Sequence, residues 1–247
     1  MRKLALVLLV FAVFQGCTEA QKGSRTEAES QREPESPSIY KRDRKFTFLA
    51  SHFDKAGKLS DLDTLYLATS GEVFSEKYGQ TWSSWASTGG DFGSNSTGIT
   101  EQDTAVWIHP PRDGRYKKLE LSPFPMVEFP LEAGHTWTWN LLIGGHYSIA
   151  GFAEWADHTN ESFFSTYKIT RKLPVQIPMG TFACYEIDSF TKSKFERTEL
   201  KAYFNPEYGF VKLDYRNIDQ TRLLMELIEV KYAQSGTKLP FKDIKIQ

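Results

Sequence analysis

Cysteine is nearly missing from this 247-residue chain, which holds only Cys17 and Cys184. If Cys17 carries a lipid, as argued below, Cys184 stands alone, so a disulfide framework is excluded even in an oxidising compartment. Histidine is scarce as well: His52, His109, His135, His146 and His158 show neither a paired helical spacing nor a cysteine cluster. Excess charge of either sign is lacking, with 30 basic against 31 acidic side chains and no basic stripe. That balance leaves no electrostatic footprint for nucleic acid. No phosphate loop, dinucleotide fingerprint or G-x-S-x-G elbow occurs, and no repeat of 20–50 residues argues for a solenoid or propeller. No cofactor and no metal is therefore expected.

What is present starts at the N-terminus. Arg2 and Lys3 precede an apolar run from Leu4 to Phe14, then Gln15, Gly16 and Cys17. Eleven apolar residues are too few to cross a bilayer as a helix. The layout resembles a bacterial lipoprotein signal, with Gly16 before the cut and Cys17 as the lipid-bearing first residue of the mature protein. Phe14 and Gln15 depart from the usual Leu and small residue. The alternative is an ordinary secretory signal followed by an incidental cysteine. Removing Arg2 and Lys3 from the 30 basic residues leaves 28 against 31 acidic ones, a net of −3. No later segment approaches eighteen consecutive apolar residues, so the expectation is a protein anchored to a membrane through Cys17. The expected location is the cell envelope, at the outer membrane of a Gram-negative bacterium.

Residues 18–39 carry no aromatic side chain and include Pro34 and Pro37. Such composition cannot offset its ordering entropy by burial, so residues 18–44 read as a disordered tether. Residues 45–232 read as one antiparallel β domain, and 233–247 as a C-terminal tail. Forty per cent hydrophobic residues, 14% of all residues aromatic, suffice for its core. The stretch up to Thr100 is the least legible, with Leu62–Thr69 a candidate strand and Ser87–Gly98 a Gly/Ser-rich loop. From Thr104 onward, short aromatic and β-branched runs alternate with turn signals about every ten residues. These turns are His109–Gly114, Gly144-Gly145, Pro178-Met179-Gly180, Asn205-Pro206 and Asn217–Gln220. Each is short, which favours antiparallel hairpins over parallel crossovers.

Periodicity assigns the faces. Val211, Leu213 and Tyr215 alternate with Lys212, Asp214 and Arg216, giving one buried and one wet face. In the last strand Leu223, Met225 and Leu227 share one face, with Leu224, Ile228 and Val230 on the other, so both sides should be covered. A two-residue turn at Gly144-Gly145 would set Trp137 opposite Phe152 and Trp139 opposite Ala150. The fold class expected is all-β: an antiparallel sandwich or curled half-barrel with few short helices.

Three segments carry a resemblance: Ile177–Tyr185 (I-P-M-G-T-F-A-C-Y), Tyr203–Lys212 (Y-F-N-P-E-Y-G-F-V-K) and Met225-Glu226-Leu227. Their order over residues 173–230 resembles the TapB-like group of exported lipoproteins and periplasmic proteins. The resemblance implies a curled antiparallel β domain and brings no activity with it. On physical grounds Gly180 and Gly209 supply backbone angles or close approach, and Cys184 acts as a small apolar side chain.

His135 and His146, with Glu154, Asp157 and His158, make a metal site conceivable, but polar residues at strand ends explain them more simply. Glu120, Glu128 and Glu132 are acids with no evident mate. The aromatic load is the better lead: Trp137, Trp139 and Phe152 are candidate lining residues for an apolar ligand. The expected function is non-enzymatic, an exported lipoprotein binding or carrying an apolar small molecule. An envelope interaction scaffold meeting another envelope protein is the alternative, and a glycan or lipid hydrolase a weaker one. An unfilled apolar groove would favour the carrier, and a filled core with apolar outer patches the scaffold. Histidines and carboxylates converging in a cleft would favour the enzyme.

Overall fold

Alternation along the chain becomes register between strands in the computed structural model, which describes residues 38–40, 43–88 and 96–232. The first half contributes β1 (Arg44–Phe53), β2 (Leu59–Ser75), β3 (Gln80–Ser87), β4 (Ser96–Glu101), β5 (Ala105–Ile108) and β6 (Met126–Glu128). The second half contributes β7 (Thr136–Gly144), β8 (Asn160–Ile177), β9 (Gly180–Lys192), β10 (Thr198–Asn205), β11 (Gly209–Arg216) and β12 (Arg222–Tyr232). Three short 3-10 turns, Glu76–Tyr78, Gly114–Leu121 and Gly145–Tyr147, complete the regular structure.

All twelve strands form one antiparallel sheet in the order β6-β5-β4-β3-β2-β1-β12-β11-β10-β9-β8-β7. Each half is thus a six-stranded meander, and the two meanders join along β1 and β12, where Phe46 faces Val230 and Ala50 faces Met225. The sheet curls until its two ends meet: the rings of Trp107 on β5 and Trp139 on β7 lie 5.0 Å apart. This is the curled all-β architecture expected.

The interior is filled by the inward rows of the strands. Phe46, Phe48, Leu65, Trp85, Tyr167, Phe204, Phe210 and Tyr215 are among the fully buried side chains. A second cluster, Leu121, Ile143, Ala153, Phe163 and Ile218, covers one end, with Trp155 and Phe195 packed against it. On β11, Val211, Leu213 and Tyr215 are buried while Lys212 and Asp214 are half-buried and Arg216 is exposed, as the alternation predicts. On β12, Leu223, Met225 and Leu227 are buried, but Leu224, Ile228 and Val230 are only partly so. That strand is covered fully on one side, because the sheet curls around its own core and, among the described residues, no second sheet lies outside it.

The turn at Pro178-Met179 joins β8 and β9 as a tight hairpin, with Ile177 paired to Gly180. Gly144-Gly145 does not make the expected turn. Gly144 is extended, at φ −66 and ψ 152, and pairs with Asn160. Trp137 therefore faces Tyr167 and Trp139 faces Ser165, neither of them opposite Phe152 or Ala150. The physical reason is close approach: a Cβ on Gly145 would lie 2.0 Å from the Ala156 carbonyl oxygen. Residues 145–159 form a long loop folded back on itself, held by the Ile149–Ala153 bridge.

The N-terminal boundary also differs from expectation. Ile39 and Tyr40, assigned by composition to the tether, are buried. Backbone N–H groups of both donate to the Glu101 carboxylate, at 2.5 and 2.8 Å. Tyr40 Oη accepts from the Phe210 amide at 2.9 Å. Strand β1 begins at Arg44, itself buried. The signal, Cys17, most of the tether and the tail 233–247 lie outside the described residues.

Candidate functional site

The seam where the sheet's ends meet gathers the densest aromatic group. Trp139 stands against Trp107 at 5.0 Å and edge-on to Phe124 at 5.6 Å. Phe124 in turn contacts the His109 ring at 4.6 Å. Trp107 and Trp139 are both half-buried, and Trp139 also packs against the core. Behind them Trp85 Nε1 donates to the His109 carbonyl at 2.7 Å, pinning the end of β5.

Local sequence explains the seam. Pro110 and Pro111 cannot donate to a ladder, so β5 stops at Ile108 and the chain turns away. Gly114, at φ +54, opens the 3-10 turn Gly114–Leu121. Tyr116, Leu119 and Leu121 bury one side of that turn and carry Glu120 inward with them. Ser122-Pro123-Phe124-Pro125 then returns extended, and Phe124 becomes the centre of the cluster.

Glu120 is the unexpected member, a carboxylate only 3% exposed. Its Oε1 lies 3.4 Å from His109 Nδ1 but within hydrogen-bond geometry of no group. Burial pushes the Glu120 carboxyl up from its ordinary 4.5 to about 8, which the nearby Arg112 guanidinium only partly offsets. Burial likewise pushes the His109 imidazole down to about 4. Both shifts favour the neutral forms, so at pH 7 the pair is a carboxylic acid beside a neutral imidazole. His109 Nδ1 sits 3.2 Å from the Pro110 carbonyl, an acceptor only, which places the ring proton on Nδ1. Arg112 is held by the Ser96 carbonyl at 3.2 Å, and burial raises the Tyr147 hydroxyl next to these groups.

An acid and a base of this kind can run proton-transfer chemistry only where a substrate reaches them. Glu120 is 3% exposed, between the buried Leu119 and Leu121. Composition placed Glu120 among the unpaired acids; its mate is a histidine eleven residues earlier, brought close by the diproline turn. The signal that could have found it is an acid flanked by leucines after a proline-broken strand.

The candidate lining residues do not converge. Trp137 is buried, stacked on Tyr167 at 5.3 Å and nearly parallel to it, with His135 on its other flank. Trp139 belongs to the seam. Phe152 is exposed in the 145–159 loop, under the Lys55 ammonium. Cys17 lies outside the described residues. His146 packs on Tyr147, and Glu154 accepts from the Gly151 amide. Among the described residues no group of three or more His, Cys, Asp or Glu is placed to hold a metal ion. Cys184 is fully buried, and burial pushes its thiol up to about 11, away from a reactive thiolate. A shallow groove on the outer sheet face, between Asp188, Lys201, Asp214 and Arg222, is bridged by the Lys201–Asp188 and Arg222–Asp214 ion pairs.

Fold and seam together define a class: an up-and-down antiparallel sheet of twelve strands, curled around a filled aromatic core. Solved structures similar to this chain include a protein described as exported, with a YmcC-like fold, from Bacteroides fragilis. It is 12% identical, with 77% of this chain and 96% of that chain covered at a TM-score of 0.42. A second, described as a lipoprotein, is from Parabacteroides distasonis, 12% identical over 77% of this chain and 95% of that one, TM-score 0.46. A third is the hypothetical lipoprotein YmcC of Escherichia coli, 12% identical over 74% of this chain and 83% of that one, TM-score 0.39. No protein-family model and no curated protein matches the sequence.

Proposed function

We propose that this chain is an exported lipoprotein of the cell envelope, held to a membrane by lipid on Cys17, whose β domain acts without catalysis. It works as a scaffold that meets another envelope protein at its surface, in preference to carrying an apolar ligand inside. One observation carries this reading: the space enclosed by the curled sheet is occupied by the protein's own side chains, Phe48, Trp85, Tyr167 and Tyr215 among them. A carrier needs that volume for its cargo. The anchor is supported by the layout of residues 2–17, and the scaffold by the half-buried tryptophans of the seam, a residue type enriched in binding hot spots.

Native mass spectrometry of the purified mature protein, incubated with extracted envelope lipids, tests the choice. The expected spectrum shows the protein mass alone. A stoichiometric lipid adduct that disappears in Trp139→Ala would replace the scaffold with the carrier.

A further inference from the structure

The end of the sheet where the chain enters carries an apolar tip that its core does not use. Strand β2 runs beyond the start of β1, whose first residue Arg44 pairs with Thr69, and continues to Ser75. The overhang and the following 3-10 turn present Val73, Phe74 and Tyr78 to solvent, Val73 at 61% and Tyr78 at 59% exposure. Tyr232, at the end of β12, is exposed at the same end of the sheet, aligned through Arg44 with Thr69 at the base of the overhang. Phe74 is braced edge-on against Trp82 at 4.7 Å, so the tip is ordered. The overhang pairs only with β3, Val73 with Thr81 and Ser75 with Gln80, and Val73 and Tyr78 stay open to solvent.

The incoming chain lies against the base of this tip. Glu101 holds the backbone of Ile39 and Tyr40. Its neighbour Gln102 lies so close to Gly79 that a Cβ there would sit 2.5 Å from its amide nitrogen. Gly79 directly follows Tyr78, so the entry point and the apolar tip are adjoining structures. Twenty residues, 18–37, separate Cys17 from Ser38. Even fully extended they span at most about 70 Å, and as a coil about 25 Å. A lipid on Cys17 therefore keeps the domain at high effective concentration beside the bilayer, with this end nearest the anchor.

We propose that the β2–β3 tip, Val73, Phe74 and Tyr78, inserts into the lipid headgroup region and forms a second membrane contact that fixes the domain's orientation. The inference rests on the lipid anchor proposed above. Aromatic side chains suit that interface, having an apolar body and, in Tyr78, a polar end. The charges around the tip are mixed: Glu72 and Glu76 against Lys77, whose ammonium lies over the Tyr78 ring, with Lys45 and Lys231 at its base. The contact is accordingly apolar in origin and insensitive to salt, unlike a polybasic patch.

A single thiol probe reads it. Cys184 is fully buried and Cys17 is blocked by lipid, so Val73→Cys in the lipidated mature chain offers one labelling site. Tyr78→Cys is a second, should the label at residue 73 disturb the hairpin. Leu59→Cys, at the start of β2 and about 40 Å from Val73 along the strand, is the control. The labelled chains are reconstituted on vesicles of phosphatidylethanolamine and phosphatidylglycerol containing a headgroup-depth lipid quencher. Quenching at positions 73 and 78 is expected to exceed that at 59 several-fold and to persist in 0.5 M salt. Equal or negligible quenching at all three positions, in chains that sediment with the vesicles, overturns the tip contact and leaves the anchor standing. Failure of the unlabelled mature chain to sediment overturns the anchor, and this inference with it.

Discussion

At Gly209 two demands coincide. Its φ is +74, which an L side chain resists, and a Cβ would lie 2.1 Å from Tyr40 Oη. Gly209→Ala must either expel Tyr40 from the core or distort the β10–β11 turn, so a loss of about 2 kcal/mol or more is expected in denaturant unfolding. Glu120 makes a prediction of a different kind. Its carboxyl is raised to about 8 from 4.5, so its contribution to stability is full below pH 4.5 and is lost as pH climbs through 8. Glu120→Gln removes that dependence. The stability of the variant relative to the parent should rise between pH 5 and pH 8, by on the order of 3 kcal/mol. Melting curves at the two pH values check the sign; an unchanging difference would show that the carboxyl titrates normally.

Elements show why some of this fold was legible and some was not. The β11 alternation could be read because one face is core and the other water, the condition under which period two is clean. The start of β2 could not: Leu59 to Leu62 are exposed, and Asp61 and Asp63 serve Arg115 and Tyr116 across the surface. Gly144-Gly145 misled because a glycine pair needed for close backbone approach is indistinguishable in sequence from one needed for positive φ. Trp137, a candidate lining residue by sequence, is buried and stacked on Tyr167. Trp137→Ala should cost about 3–5 kcal/mol, read from the denaturation midpoint. Trp107→Ala, at the half-exposed seam, should cost less. The Glu120–His109 pair was illegible because only the folded diproline turn brings the two together.

For the whole molecule, the buried Ile39 and Tyr40 move the edge of the folded domain toward the N-terminus. A chain beginning at Ser36 should melt within a few degrees of the mature protein. One beginning at Asp43 loses a fully buried tyrosine and the acceptor of the Phe210 amide, and should lose several kcal/mol of stability. A calorimetric melt of the two distinguishes a tether that ends before Ser38 from one that reaches Arg44. Cys17→Ser is expected to move the protein from the membrane pellet to the soluble fraction; retention in the pellet would sink the anchor.

The pairing of β1 with β12 has a consequence for how the molecule is made. Each six-stranded meander is built from neighbours in sequence and can form as its own residues emerge. The joint between the meanders closes across nearly the whole domain, from Phe46 to Val230, and must wait for the last strand. Such long-range closure is slow compared with hairpin formation. Until β12 pairs with both, β1 and β11 each keep a bare strand edge. A chain cut short before Arg222 would leave those edges open for good, the condition that invites aggregation and proteolysis. The sheet is thus sealed only by a chain that reaches β12, which lies between β1 and β11.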